Sequence, residues 1–107
     1  MARSHGRTDR NQLEIMRALR EAGASCTSLA DVGKGVPDLL VGIPTEAGGE
    51  THLVEVKDGA KVLSRQALTT AQKRFVAEWL GSPVIILVNV EQAAMWVKRR
   101  MQAQCSG

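Results

Sequence analysis

Apolar and polar positions follow two rhythms along this chain. Leu13, Met16 and Leu19 recur at helical spacing, an inward stripe that Asp9 can cap with Gln12 reaching back. Gly23 in "REAGA" supplies a stop. "SCTSL" reads as a short first strand of weak alternation, and "VPDLLVGI" and "THLVEVK" as two further strands joined by the turn "PTEAGGE". Pro37 lacks an amide for the ladder, so it can only open its strand or lie at an edge. A second helix is predicted from Thr69 to Leu80, with Phe75, Val76, Trp79 and Leu80 as its apolar face. After the breaker "GSP", the β-branched run "VIILVN" suits a strand covered on both faces. Asn89 then caps a last helix whose apolar residues include Ala93, Met95, Trp96 and Met101. Both tryptophans fall on helical apolar faces and are expected in the core rather than as base-stacking platforms.

The order α, β, β, β, α, β, α predicts an α/β fold: a small mixed sheet flanked by helices, an αβββαβ core plus a C-terminal helix. The β–α–β crossover brings the fourth strand in parallel beside an earlier one. A length of 107 residues suits one domain, 1–107, with a basic arm over 1–8 and a flexible tail over 103–107. The longest apolar run, "VIILV", is strand-sized and far short of a membrane span, and no apolar stretch follows the basic N-terminus as a secretory signal requires. Cys26 and Cys105 fit no metal spacing and read as free thiols in a reducing compartment. The expectation is a cytoplasmic protein with no membrane and no organic cofactor.

Three charges break the strand pattern: Asp38 in the first long strand, Glu55 and Lys57 in the second. Alternation places Glu55 and Lys57 on one face with Leu53, whereas His52, Val54 and Val56 face the core, His52 as a satisfied core residue. In a hairpin Asp38 lies opposite the end of the returning strand and meets Glu55 across the ladder. Two close carboxylates repel unless a cation or a proton neutralises them. Hard oxygen ligands without His or Cys favour magnesium or manganese. The plain alternative is an exposed Glu55–Lys57 pair beside an unrelated turn aspartate, which adds little stability. The net charge of +3 is mild, but its distribution is not even. Arg3, Arg7 and Arg10 precede the first helix, Lys98, Arg99 and Arg100 lie near the end of the last, and Lys61, Arg65, Lys73 and Arg74 follow "EVK". Basic residues around an acidic cluster suit a polyanion that approaches a metal.

"PD", sixteen residues, then "EVK" resembles the PD-(D/E)xK nuclease signature. Glu14 on the preceding helix, "GKGVPDLLVG" around Asp38 and "LTTAQKRF" after Lys57 narrow the likeness to the VRR-Nuc branch, virus-type replication-repair nucleases related to Holliday-junction resolvases. The resemblance covers about Leu13 to Gln92. It implies a restriction-endonuclease-like fold in which Asp38, Glu55 and the Val56 carbonyl hold Mg2+, with Mn2+ substituting. Lys57 orients the attacking water and stabilises charge electrostatically, since neighbouring carboxylates favour an ammonium. Such a metal lowers the pKa of bound water and clamps the phosphate for in-line displacement. By the same resemblance Glu14 completes the metal shell directly or through water; otherwise it is a solvated helix residue. Gln72 matches the family's glutamine, yet Thr69 and Gln72 also have capping-box spacing, and both readings stay open. The glycines of "GKG" would let backbone or DNA approach Asp38, with Lys34 touching a phosphate.

The implied protein is a metal-dependent endodeoxyribonuclease of phage or bacterial replication, recombination or repair, selective for DNA structure and acting as a homodimer. A non-catalytic DNA-binding or assembly subunit is the alternative, and a sequence-specific restriction-type or toxin-like nuclease a third. Lys34, Lys61, Arg65, Lys73 and Arg74 are the expected DNA contacts.

Overall fold

A computed structural model describes residues 10–58 and 68–103. Along them run α1 (Arg10–Glu21), β1 (Ser25–Ser28), β2 (Leu39–Ile43), β3 (Glu50–Val56), α2 (Thr70–Glu78), β4 (Ile85–Leu87) and α3 (Val90–Ala103). The strands form one sheet in the order β1-β2-β3-β4. The first two pairings are antiparallel and β3–β4 is parallel, so the α/β class, the mixed sheet and the parallel entry of the fourth strand agree with the pattern. The arm with Arg3, Arg7 and Asp9, the residues Lys61 and Arg65, and Cys105 in the tail lie outside the described residues; Ala103 itself ends α3.

The residues of α1 that turn inward are Gln12, Ile15, Met16 and Leu19, at i, i+3, i+4 and i+7. This corrects the expected stripe, because Leu13 is 63% exposed. Once the fully buried Ile15 and Leu19 set the helix's rotation, position 13 falls outside the inward stripe. At its end the Ala24 amide donates to the Leu19 carbonyl and the Gly23 amide to that of Arg20, both at 3.0 Å. That pair of bonds needs a left-handed residue, and Gly23 supplies it with φ +115°.

Alternation sorts the sheet into two faces. Leu39, Val41, Ile43, Val54 and Leu87 point to one side, where α1 and α3 pack on each other and cover the sheet with Ile15, Leu19, Ala93 and Val97. Each large apolar side chain buried there contributes about 1.5–3 kcal/mol. Glu50 clasps α3 to the hairpin, accepting from Arg100 Nε at 2.9 Å and Arg100 Nη2 at 2.8 Å. His52 is buried as expected and bonds Glu50 through Nε2 at 3.0 Å, but its Nδ1 has no partner among the described residues. Trp96 packs at the edge of the core, its ring edge-on to His52.

The opposite face carries Leu40, Leu53 and Glu55, and two expectations fail there. β4 is covered on one side only: Leu87 is buried, whereas Ile86, in register with Glu55, is 42% exposed. No residue of α2 is buried, so its apolar positions are not core. The reason lies in what α2 meets, a stretch of β3 bearing a carboxylate and a lysine, to which it presents Gln72. Trp79 therefore stacks on Phe75, at 5.2 Å between centroids and 17° between planes, and stays 43% exposed. The helix ends at Glu78, before the Leu80 boundary, with Trp79 already extended (φ −74°, ψ 123°) and Leu80 97% exposed.

Candidate active site

Asp38 sits directly before β2, after the fully buried Pro37, and its main-chain carbonyl accepts from the Leu29 amide at 2.7 Å. Leu39 pairs with Val54, so one step back along the ladder Asp38 comes opposite Glu55, as the hairpin reading requires. Asp38 Oδ2 accepts from the Val56 amide at 2.8 Å. This side-chain bond continues the β2–β3 ladder one residue past the end of β2.

Glu55 is 4% exposed, too buried for a solvated surface pair. Its Oε2 accepts from Gln72 Nε2 at 2.7 Å and lies 3.4 Å from Lys57 Nζ. Lys57 Nζ also donates to Gln72 Oε1 at 3.1 Å. Gln72 both caps its helix and bonds the neighbouring charged side chains. Its backbone amide donates to the Thr69 hydroxyl and its Oε1 accepts from the Thr69 amide, a complete capping box. The same side chain then bridges Glu55 and Lys57, so the cap fixes the rotamer that the bridge uses.

Lys57 is held along its backbone as well. Its amide donates to the Leu87 carbonyl at 3.0 Å, and its carbonyl accepts from Asn11 Nδ2 at 3.0 Å. Nothing in the sequence marks Asn11, a polar residue near the start of a helix; only the fold brings it to Lys57.

Burial raises the pKa of Glu55 to about 7, and the negative charge of Asp38 adds to the rise while Lys57 opposes it. Asp38 is raised too, again by burial, against the lowering effect of the Val56 amide and Lys57. Two adjacent carboxylates that resist ionising together form an oxygen-rich site that a divalent cation would neutralise. The residues present fit such an ion. In an extended strand the N–H and C=O of one residue point to the same edge, so the Val56 carbonyl lies on the side of β3 where its amide meets Asp38. Glu14 is exposed on α1, and among the described residues no three His, Cys, Asp or Glu side chains cluster as a ready-made metal shell.

The "GKG" loop has a different role from the one its glycines suggested. Gly33, Lys34 and Gly35 all have positive φ, at 70°, 58° and 81°. A Cβ on Gly35 would fall 2.3 Å from the Ala71 carbonyl oxygen, so this glycine lets the loop lie against α2. Lys34, Lys73 and Arg74 are exposed, and Lys34 and Arg74 line one open groove beside α2. Set against protein-family models, curated proteins and solved structures, the chain matches none of the three.

Proposed function

We propose that this protein is a divalent-metal-dependent endodeoxyribonuclease of the PD-(D/E)xK type, closest in motif order to the VRR-Nuc branch and with a restriction-endonuclease-like fold. The observation that carries this reading is the cluster at the end of β3. The buried Glu55 on β3 and the half-buried Asp38 just before β2 stand beside a lysine, and one glutamine bonds both Glu55 and Lys57. Such a cluster works against folding in the absence of a cation, which a purely structural role would not explain.

Asp38, Glu55 and the Val56 carbonyl would hold Mg2+ or Mn2+, with the exposed Glu14 completing the shell directly or through water. When bound, the cation supplies positive charge to a phosphate oxygen and makes water a better nucleophile at neutral pH. Lys57, steered by Gln72, faces the same spot and stabilises the charge that grows on the phosphate. Water adds to phosphorus, the P–O3′ bond breaks, and the leaving oxygen takes a proton, giving a 5′-phosphate and a 3′-hydroxyl. The protein acts on DNA as a homodimer in the cytoplasm. Among the described residues no helix is long and apolar enough to cross a membrane.

The test is incubation with labelled junction, flap, nicked and linear DNA, each with magnesium, manganese or chelator, beside Lys57→Ala. Metal-dependent cutting that disappears in the variant supports the nuclease. Binding without any cutting would make the fold a non-catalytic DNA-binding or assembly subunit.

A further inference from the structure

Along α2, the helix that brings Gln72 to the cluster, runs an open groove of about 510 Å3, lined by Lys34, Thr70, Ala71, Arg74, Phe75 and Glu78. Ala71, Arg74, Phe75 and Glu78 follow the i, i+3, i+4, i+7 rule and form one face of α2. Lys34 approaches from the opposite wall, on the loop that Gly35 packs against the first turn of the helix. Phase along the helix links the groove to the site. Gln72, which bonds Glu55 and Lys57, and Phe75 are three residues apart, roughly 5 Å along the axis.

The wall carries two kinds of group. Lys34 and Arg74 are exposed cations. Phe75 and Trp79 form a parallel aromatic stack with its outer ring open to solvent. Gly81 preserves that ring's place, because a Cβ there would sit 2.8 Å from Trp79 Nε1. Cations that track a backbone beside aromatic faces that accept bases are what an unpaired strand needs, whereas a paired duplex hides the base faces. The Glu78 carboxylate at the far end of the groove repels phosphate, so the phosphates run over the Lys34–Arg74 end.

We infer that this groove is the track for single-stranded DNA leaving the scissile phosphate, with Lys34 and Arg74 on phosphates and the Phe75–Trp79 stack under a base. The substrate class is then DNA with an unpaired arm, such as a flap or a splayed end. This rests on the nuclease reading for its biological sense, but its test needs no cleavage.

Oligo-dT is titrated into the protein in chelator, with tryptophan fluorescence and anisotropy as readouts, beside a blunt duplex of equal length. Phe75→Ala, Trp79→Ala, Trp79→Phe and the double variant Lys34→Ala/Arg74→Ala are compared with the unsubstituted chain. Lys34, Arg74 and Trp79 are exposed and Phe75 is only half-buried, so these variants are expected to fold, and circular dichroism verifies it. Oligo-dT should quench the exposed Trp79 and bind more tightly than duplex. Each alanine variant at the stack should lose about 5- to 160-fold in oligo-dT affinity, and Trp79→Phe should restore most of it. The double variant should flatten the salt dependence. Equal affinity for duplex and oligo-dT, or a Trp79→Ala variant that binds oligo-dT normally, would overturn the inference. So would a Trp79→Ala variant whose only change is a lower sedimenting mass, since the stack would then belong to a second copy. Tight oligo-dT binding without metal-dependent cutting of any DNA would uphold the groove and sink the nuclease reading alone.

Discussion

Replacing Glu55 by glutamine should make the metal-free protein more stable, and by an amount that depends on pH. Glutamine keeps the shape and an oxygen to accept the 2.7 Å bond from Gln72 Nε2, but carries no charge against Asp38. Glu55 titrates at about 7 in the folded chain against an ordinary 4.5. A carboxyl whose folded pKa is raised favours the folded state while protonated. That contribution is complete below the unfolded pKa and is lost as pH climbs through the window from 4.5 to about 7. By about pH 8 the ionised group costs about 3 kcal/mol, whereas near pH 5 it costs only about 1 kcal/mol. The opposing pull of Lys57 is already contained in that figure. Urea denaturation in chelator should therefore find Glu55→Gln more stable by about 3 kcal/mol at pH 8, equivalent to roughly 10 °C or more in a domain of this size, with most of the gain gone at pH 5. A gain of equal size at both values, or a loss at pH 8, would refute the reasoning, because the cost of ionising a buried Glu55 beside Asp38 could not then be its source. The same variant should cut no DNA.

The unsubstituted protein should melt at a higher temperature with manganese than with chelator. The increase should be larger at pH 8 than at pH 6, because a cation competes with protons for Glu55 and Asp38; Asp38→Asn should reduce it at both. Gln72→Glu keeps a residue suited to the capping box but sets a third carboxylate against Glu55. Helix content should therefore hold by circular dichroism while cleavage falls by at least about 10-fold, whereas Gln72→Ala should also cost about 1 kcal/mol in urea. Gly35→Ala should destabilise by about 2 kcal/mol or more, since its Cβ meets the Ala71 carbonyl, while Gly33→Ala, with open space around it, should cost about 1 kcal/mol; thermal melts decide the ranking. Arg100→Met releases Glu50, whose pKa is held at about 2 chiefly by the Arg100 bonds. A lowered carboxyl stabilises above its ordinary pKa and stops doing so as pH falls from 4.5 to about 2, so the variant's stability should fall less steeply through that acid window.

Strand alternation made the centre of the site legible. Period two put Glu55 and Lys57 on one face and Val54 on the other, and the hairpin then brought Asp38 to Glu55. What pattern misjudged was the partner of each apolar face. Leu13 and Ile15 suit a helix stripe equally well by type, and only packing under the sheet chose Ile15. β-branched residues fill "VIILV" whether one face or two is covered, so Ile86 gave no sign of its exposure. Trp79 and Leu80 fit an amphipathic helix, yet the surface that α2 meets is charged, and no local pattern in α2 reports the chemistry of β3. Gln72 shows the limit most clearly: its cap spacing is legible in the sequence, but its bridge from Glu55 to Lys57 exists only in the folded chain.

The backbone of Lys57 is tied to Asn11, 46 residues earlier, and to Leu87, beyond the whole of α2. Asp38 and Glu55 need only a hairpin to meet, but these ties close far longer loops, and long-range parallel pairing is slow to form. The two carboxylates are thus expected to meet before the lysine backbone is seated by the docking of β4. Amide exchange at Lys57 should accordingly track the global opening of the sheet rather than fraying of the hairpin. On that order, a chain still emerging during synthesis would pair its acidic residues first, and the site would become whole only with the last strand of the sheet.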